Sequence, residues 1–355
     1  MTDPSQEILF LQGPSPEWVS YCIANKIPTA PVIFPDEGRL PYRTIQKRIN
    51  DVWETSSRHA VEVEGLNVLV QTTDYSIPRD RDPDNPIRIR AYTPNNTDHC
   101  GIPLPVYVHF HGGGFLSGNL DTEDATCARP VALLAACKCP MVVISVQYRV
   151  TSEAPYPAAF RDAWDVYEFL EKEVDVLFGG DPRKIILGGT DSGAALVLWV
   201  AVFANSVVGI SKPWKLTITG LMLCSPWLPH MDKEGNGELS RAQNVNAPLL
   251  PQALHEMFRD LLAIDAVHCP TFVLNSDTNF TGLPKTSVHV PGQSLLRDQG
   301  MKLINLLAQA GVEYRARLYP GLPHDFRRID GLWSSREWDL CITREILWFL
   351  GAPGM

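Results

Sequence analysis

Residues 184–187 form a short β-branched run that passes through Gly188-Gly189-Thr190-Asp191-Ser192-Gly193-Ala194-Ala195 into an apolar helical stretch at 193–204. A strained strand-to-helix turn crowds the positions two places either side of its apex, so only very small residues fit there. Gly189 and Gly193 flank Asp191 symmetrically, whereas Ser192 would have Thr190 and Ala194 as its flanks. The spacing therefore predicts a G-x-D-x-G turn with Asp191 at its apex. A plain helix start with Asp191 or Ser192 as N-cap would explain the residue types but not the paired glycines.

The rest of the chain supplies what such a turn needs on either side. Runs at 68–75 and 87–92 read as an opening antiparallel pair around a Pro- and Asp-rich turn. Short β-branched runs follow at 106–110, 141–146, 184–187, 216–223 and 271–274, of the kind buried on both faces of a parallel sheet, with a last strand at 314–319. Amphipathic stretches at 158–174, 193–204, 295–310 and 335–350 would cover the two faces as crossover helices. The predicted class is α/β: a mostly parallel central sheet, helices on both faces, and one domain over the whole 355 residues. Segments 15–51 and 229–262 fall outside the alternation and are expected to form a helical cap over the strand C-termini, where open α/β sheets bind ligands.

Two further motifs lie at strand ends. His111-Gly112-Gly113-Gly114 follows the run 106–110, and consecutive glycines let backbone N–H groups turn toward one point, as stabilisation of a developing oxyanion requires. His324 stands in a turn-forming loop, Tyr319-Pro320-Gly321-Leu322-Pro323-His324, after the last strand. Nucleophile, acid and His in that chain order is the order of α/β-hydrolases.

Together these features resemble the hormone-sensitive-lipase-like esterases and lipases, from about Val68 to the C-terminus. Tyr148-Arg149-Val150-Thr151-Ser152-Glu153-Ala154-Pro155-Tyr156-Pro157-Ala158-Ala159 is similar to a segment of that family, as is Asp181-Pro182 before the turn strand. The resemblance implies an α/β-hydrolase fold in which Asp191 stands at the family's serine. It also puts Ser294 where the family's His-orienting aspartate would be, with 280–293 as an insertion beside it, and Asp325 in place of a usual glycine. Asp277, at the end of the expected seventh strand, is the candidate replacement acid.

Three classes of function are compatible with this set. In the first, Asp191 attacks an electrophile and His324 activates the water that cleaves the resulting ester, giving hydrolysis of an ester or epoxide; Ser192 is the fallback nucleophile. In the second, Asp191 and His324 act as acid and base beside Gly112, Gly113 and Gly114 in a cyclase, isomerase or lyase. The third is a ligand receptor or pseudoenzyme. Composition narrows the partner. A net charge of −9 argues against nucleic acid or an anionic membrane and leaves a small molecule, expected from the apolar residues of 229–262 to be a largely apolar metabolite of the kind met in specialised metabolism. Trp227, Leu228, Leu249, Leu250, Leu254, Met257 and Phe258 are the candidate greasy lining. No cofactor motif, no metal spacing among eight irregularly placed cysteines and no membrane span are seen, and a cytoplasmic setting is expected. Nothing in the sequence identifies a homo-oligomer interface or excludes one.

Overall fold

The computed structural model describes residues 13–27, 40–95, 101–207, 214–230, 239–272, 274–275 and 277–352. Cys100, the start of the chain, and parts of both expected cap segments lie outside them. Numbered in chain order, the longer elements are α1 (Pro16–Ala24), α2 (Tyr42–Val63), β1 (Val70–Arg79), β2 (Asp82–Pro94), β3 (Leu104–Phe110) and α3 (Asp124–Ala136). They continue as β4 (Val142–Gln147), α4 (Ala158–Phe178), β5 (Gly180–Thr190), α5 (Ser192–Ser206), β6 (Ile218–Cys224) and α6 (Gln252–Leu262). The last are β7 (Lys285–Gln293), α7 (Arg297–Gln309), β8 (Tyr314–Pro323) and α8 (Trp333–Phe349).

One eight-stranded sheet runs in the order β1-β2-β4-β3-β5-β6-β7-β8. The β1/β2 and β2/β4 pairs are antiparallel and all others parallel. This is an α/β-hydrolase fold. Period-two burial sets the entry hairpin: Ile77, Ile87 and Ile89 are fully buried while their neighbours face solvent. The central β3 and β4 are buried on both faces, which is why their sequences read as unbroken apolar runs. Helix α5 is apolar all round, since it is packed between the sheet and α4.

The seventh strand is not where the sequence places it. Residues 270–272 form a single 3₁₀ turn, and β7 is the stretch read as an insertion. Its polar residues are buried by pairing with one another: Ser287 Oγ lies 3.1 Å from His289 Nε2, and His289 Nδ1 lies 2.8 Å from Tyr319 Oη on β8. Because β7 runs to Gln293, Ser294 stands at a strand end, level with the loop that carries His324.

The N-terminal helix α2 is fixed to the body by a polar ladder. Gly118 N donates to Asn50 Oδ1 (2.8 Å), Asn119 Nδ2 to Glu54 Oε1 (2.7 Å), and Ala125 N to Ser57 Oγ (3.0 Å). These bonds hold α2 beside the segment that follows the Gly-rich loop. No helix among the described residues is long and apolar enough to cross a membrane.

Candidate active site

Asp191 sits between β5 and α5 with φ 54° and ψ −116°, a conformation that a residue with a side chain adopts only at a cost of about 1–3 kcal/mol. The surroundings enforce it. Asp191 N donates to Cys224 O (2.8 Å), and Asp191 O accepts from Ala194 N (3.1 Å) and Trp227 N (3.2 Å). The paired glycines are sterically required: a Cβ on Gly189 would lie 2.4 Å from Gly193 C, and one on Gly193 would lie 2.1 Å from Phe110 O.

The Gly-rich loop meets this turn directly. Asp191 Oδ2 accepts from Gly113 N (3.0 Å) and Gly114 N (2.7 Å). The two donors toward the cleft are thus Gly113 and Gly114. Gly112 makes a different contact, its carbonyl accepting from His111 Nδ1 (2.8 Å). Burial pushes the Asp191 carboxyl above the ordinary carboxylate range, and the His324 charge and the two amide bonds only partly oppose this.

Ser192 is placed elsewhere. Its side chain is wholly buried, with Oγ 3.1 Å from Tyr148 Oη. Tyr148 gives its single proton to His111 O (2.9 Å), so the Ser192 hydroxyl donates to the phenol oxygen. That chain ties the Gly-rich loop to the turn. It turns Ser192 away from the cavity that Asp191 lines, so the fallback nucleophile lacks access to a substrate there.

His324 lines the same cavity as Asp191. Its Nδ1 lies 3.1 Å from Ser294 Oγ, which also accepts from Leu296 N (3.1 Å). With Nδ1 so engaged, Nε2 is the nitrogen left for the cavity. Asp277 is not part of this arrangement. It lies exposed on a turn well before β7, because the strand expected to carry it to the cleft is not a strand. The residue that orients His324 is therefore an uncharged hydroxyl.

Behind His324 lies a buried charge cluster that sequence reading missed. Asp325, in the left-handed region at φ 58°, takes bonds from Arg327 Nε (3.1 Å) and Arg328 Nε (3.0 Å). Both arginines also pair with fully buried Glu123, which accepts in addition from His109 Nε2 at 3.3 Å. Burial opposes the charge on Glu123 and Asp325, but the two guanidinium groups outweigh it and hold both carboxyls below their usual range. The short spacing of Asp325, Arg327 and Arg328 was a visible signal; Glu123, about two hundred residues away, was not.

The cavity above these groups measures about 570 Å³. Ile49 and Trp53 of α2 form one wall and Leu254 and Phe258 of α6 another, with Leu249 and Leu250 beside them. Trp227, Leu228 and Met257 from the expected lining instead pack the core. The α2 wall was missed, although Ile45, Ile49 and Val52 have the spacing of one helical face. Phe258 lies against the Gly-rich loop so closely that a Cβ on Gly114 would fall 2.0 Å from its ring.

A family model described as alpha/beta hydrolase fold matches residues 107–328. Carboxylesterase NlhH of Mycobacterium tuberculosis is 30% identical over 63% of this chain and 66% of its own, so the chain spans just under two thirds of that relative. Esterase LipI of Mycobacterium tuberculosis is 31% identical over 69% of this chain and 72% of its own. Among solved structures, an esterase of Pyrobaculum calidifontis matches with a TM-score of 0.71 at 26% identity, covering 88% of this chain and 95% of that one. Vibralactone cyclase shares the fold, with a TM-score of 0.78 at 22% identity over 99% and 97% of the two chains.

Proposed function

Because the chain belongs to the alpha/beta hydrolase fold family and has esterases among its relatives, we propose that it is a hydrolase working through a covalent ester on Asp191, with an apolar epoxide-like electrophile as substrate. The observation that carries the proposal is the seat of Asp191 Oδ2 on the Gly113 and Gly114 amides.

That seat divides the work of the carboxylate. Oδ1 attacks a saturated electrophilic carbon, the strained carbon–oxygen bond breaks, and the leaving oxygen takes a proton from water, which becomes hydroxide. His324 then removes a proton from water, and the resulting hydroxide attacks Asp191 Cγ. Negative charge develops on Oδ2, which already rests against two N–H donors, so no reorganisation is needed as the charge grows. Collapse breaks the bond between Cγ and Oδ1 and releases the alcohol, which takes its proton from His324, while the proton of the new Asp191 carboxyl neutralises the hydroxide left when the first oxygen was protonated.

The same seat argues against the acyl route of serine esterases. A substrate carbonyl oxygen would need the donors that Oδ2 occupies, and attack by a carboxylate would give a reactive anhydride. Single turnover of a terminal alkyl epoxide in oxygen-18 water should therefore leave the isotope in the Asp191 carboxylate, read by mass spectrometry of its peptide. Turnover without label would replace this mechanism by the second reading, acid–base chemistry in a cyclase or isomerase. The raised protonation range of Asp191 supports that reading, since it favours a carboxyl that can carry a proton.

A further inference from the structure

We propose that Arg48 makes the cavity a site for apolar chains ending in a carboxylate, held with the anionic end at the mouth and the reactive end at the floor. Which end lies deepest rests on the reading of Asp191 and His324 as the reacting pair; the contact with Arg48 does not.

Arg48 is an exposed residue of α2 that lines the cavity next to Ile49 and one turn from Ile45 and Val52. Among the described residues it makes no ion pair, and the carboxylate on its own face of the helix, Asp51 one turn on, is already bound to Lys47. Two of the other charges on the wall, Arg328 and Asp325, are already committed. Arg328 is bound to Asp325 and Glu123 and stacked 4.1 Å over the Trp53 ring, and Asp325 is shared between Arg327 and Arg328. Asp330 belongs to the far end of α2, since it also borders the small recess formed by Ser57, Ala60 and Arg129. Ser56 is at that end, eight residues from Arg48, or about 12 Å along a helix axis. A guanidinium with no ion pair among the described residues thus stands at the mouth of a trough whose walls are largely apolar and whose floor, Asp191, is 6% exposed.

A ligand that fills such a trough loses water from its chain along the walls and keeps its charged end in contact with both Arg48 and solvent. Exposed ion pairs are modest, so the expected preference is about fivefold. Titration calorimetry of the full chain with decanoate and with decan-1-ol at low salt should show decanoate binding more tightly by that factor, with the difference shrinking as salt rises. Arg48→Gln should remove the preference and leave decan-1-ol binding unchanged, while Arg48→Lys keeps part of it. Equal affinities in the unmodified protein, or a preference that survives Arg48→Gln, would overturn the assignment. Neither ligand reacts, so a failed oxygen-18 experiment beside an intact decanoate preference would remove the covalent mechanism and leave Arg48 in place.

Discussion

At the scale of single residues the site turns on two exchanges of polar group. Asp191 puts a carboxyl oxygen on amide donors that a hydroxyl would leave free, and Ser294 puts a neutral group on His324 Nδ1. Asp191→Ser should therefore clear the donors and give weak activity on short p-nitrophenyl esters, where the unmodified protein has little. Adding Ser294→Asp to that variant should raise the esterase rate by about 10²–10⁴-fold, the usual scale of general-base assistance. A carboxylate beside Nδ1 favours the imidazolium, so the acid limb of its pH–rate profile should also move to higher pH. High esterase activity in the unmodified chain would contradict both expectations. The place of Asp191 was legible because steric rules fix the glycines around it. The role of Ser294 was harder to read, because it depends on where a polar strand ends.

Among elements, what keeps His324 at the cleft is the loop that follows β8, and Glu123 at the start of α3 is the far anchor of that loop. Glu123→Ala leaves Arg327 and Arg328 with half of their counter-charge in a buried setting, so it should cost about 3–5 kcal/mol in chemical unfolding. A loss below about 1 kcal/mol would mean that water already shares that cluster. Most strands and four of the helices could be read from periodicity; among the elements that could not, two show why. Strand β7 hides its polar side chains through mutual bonds, so the more apolar 271–274 looked the better strand. Helix α3 carries Pro130 inside it, and proline removes a donor and breaks the expected pattern.

For the molecule as a whole, buried carboxyls act on stability in two opposite directions. Asp165 and Asp339 are pushed up to about 6, chiefly by burial, so the folded state binds protons more readily than the unfolded chain and gains stability as pH falls toward 5. Glu123 and Asp325 are depressed, so their contribution is complete above the ordinary carboxylate range, about 4.5 and 3.8, and is lost as pH falls through their folded values. The Tm measured across pH should therefore pass through a maximum near pH 5 and drop steeply below about 4; a Tm that rises steadily from pH 5 to 8 would contradict these signs. The broad architecture followed from strand and helix order alone, whereas this acid balance depends on pairs brought together from distant parts of the chain. The carboxylate resting on the Gly113 and Gly114 amides has a practical corollary. Fluorophosphonate reagents label serine hydrolases by phosphonylating an activated hydroxyl; with Asp191 as the proposed nucleophile, its seat filled and Ser192 turned to Tyr148, this chain is expected to leave no band in a profile of labelled hydrolases.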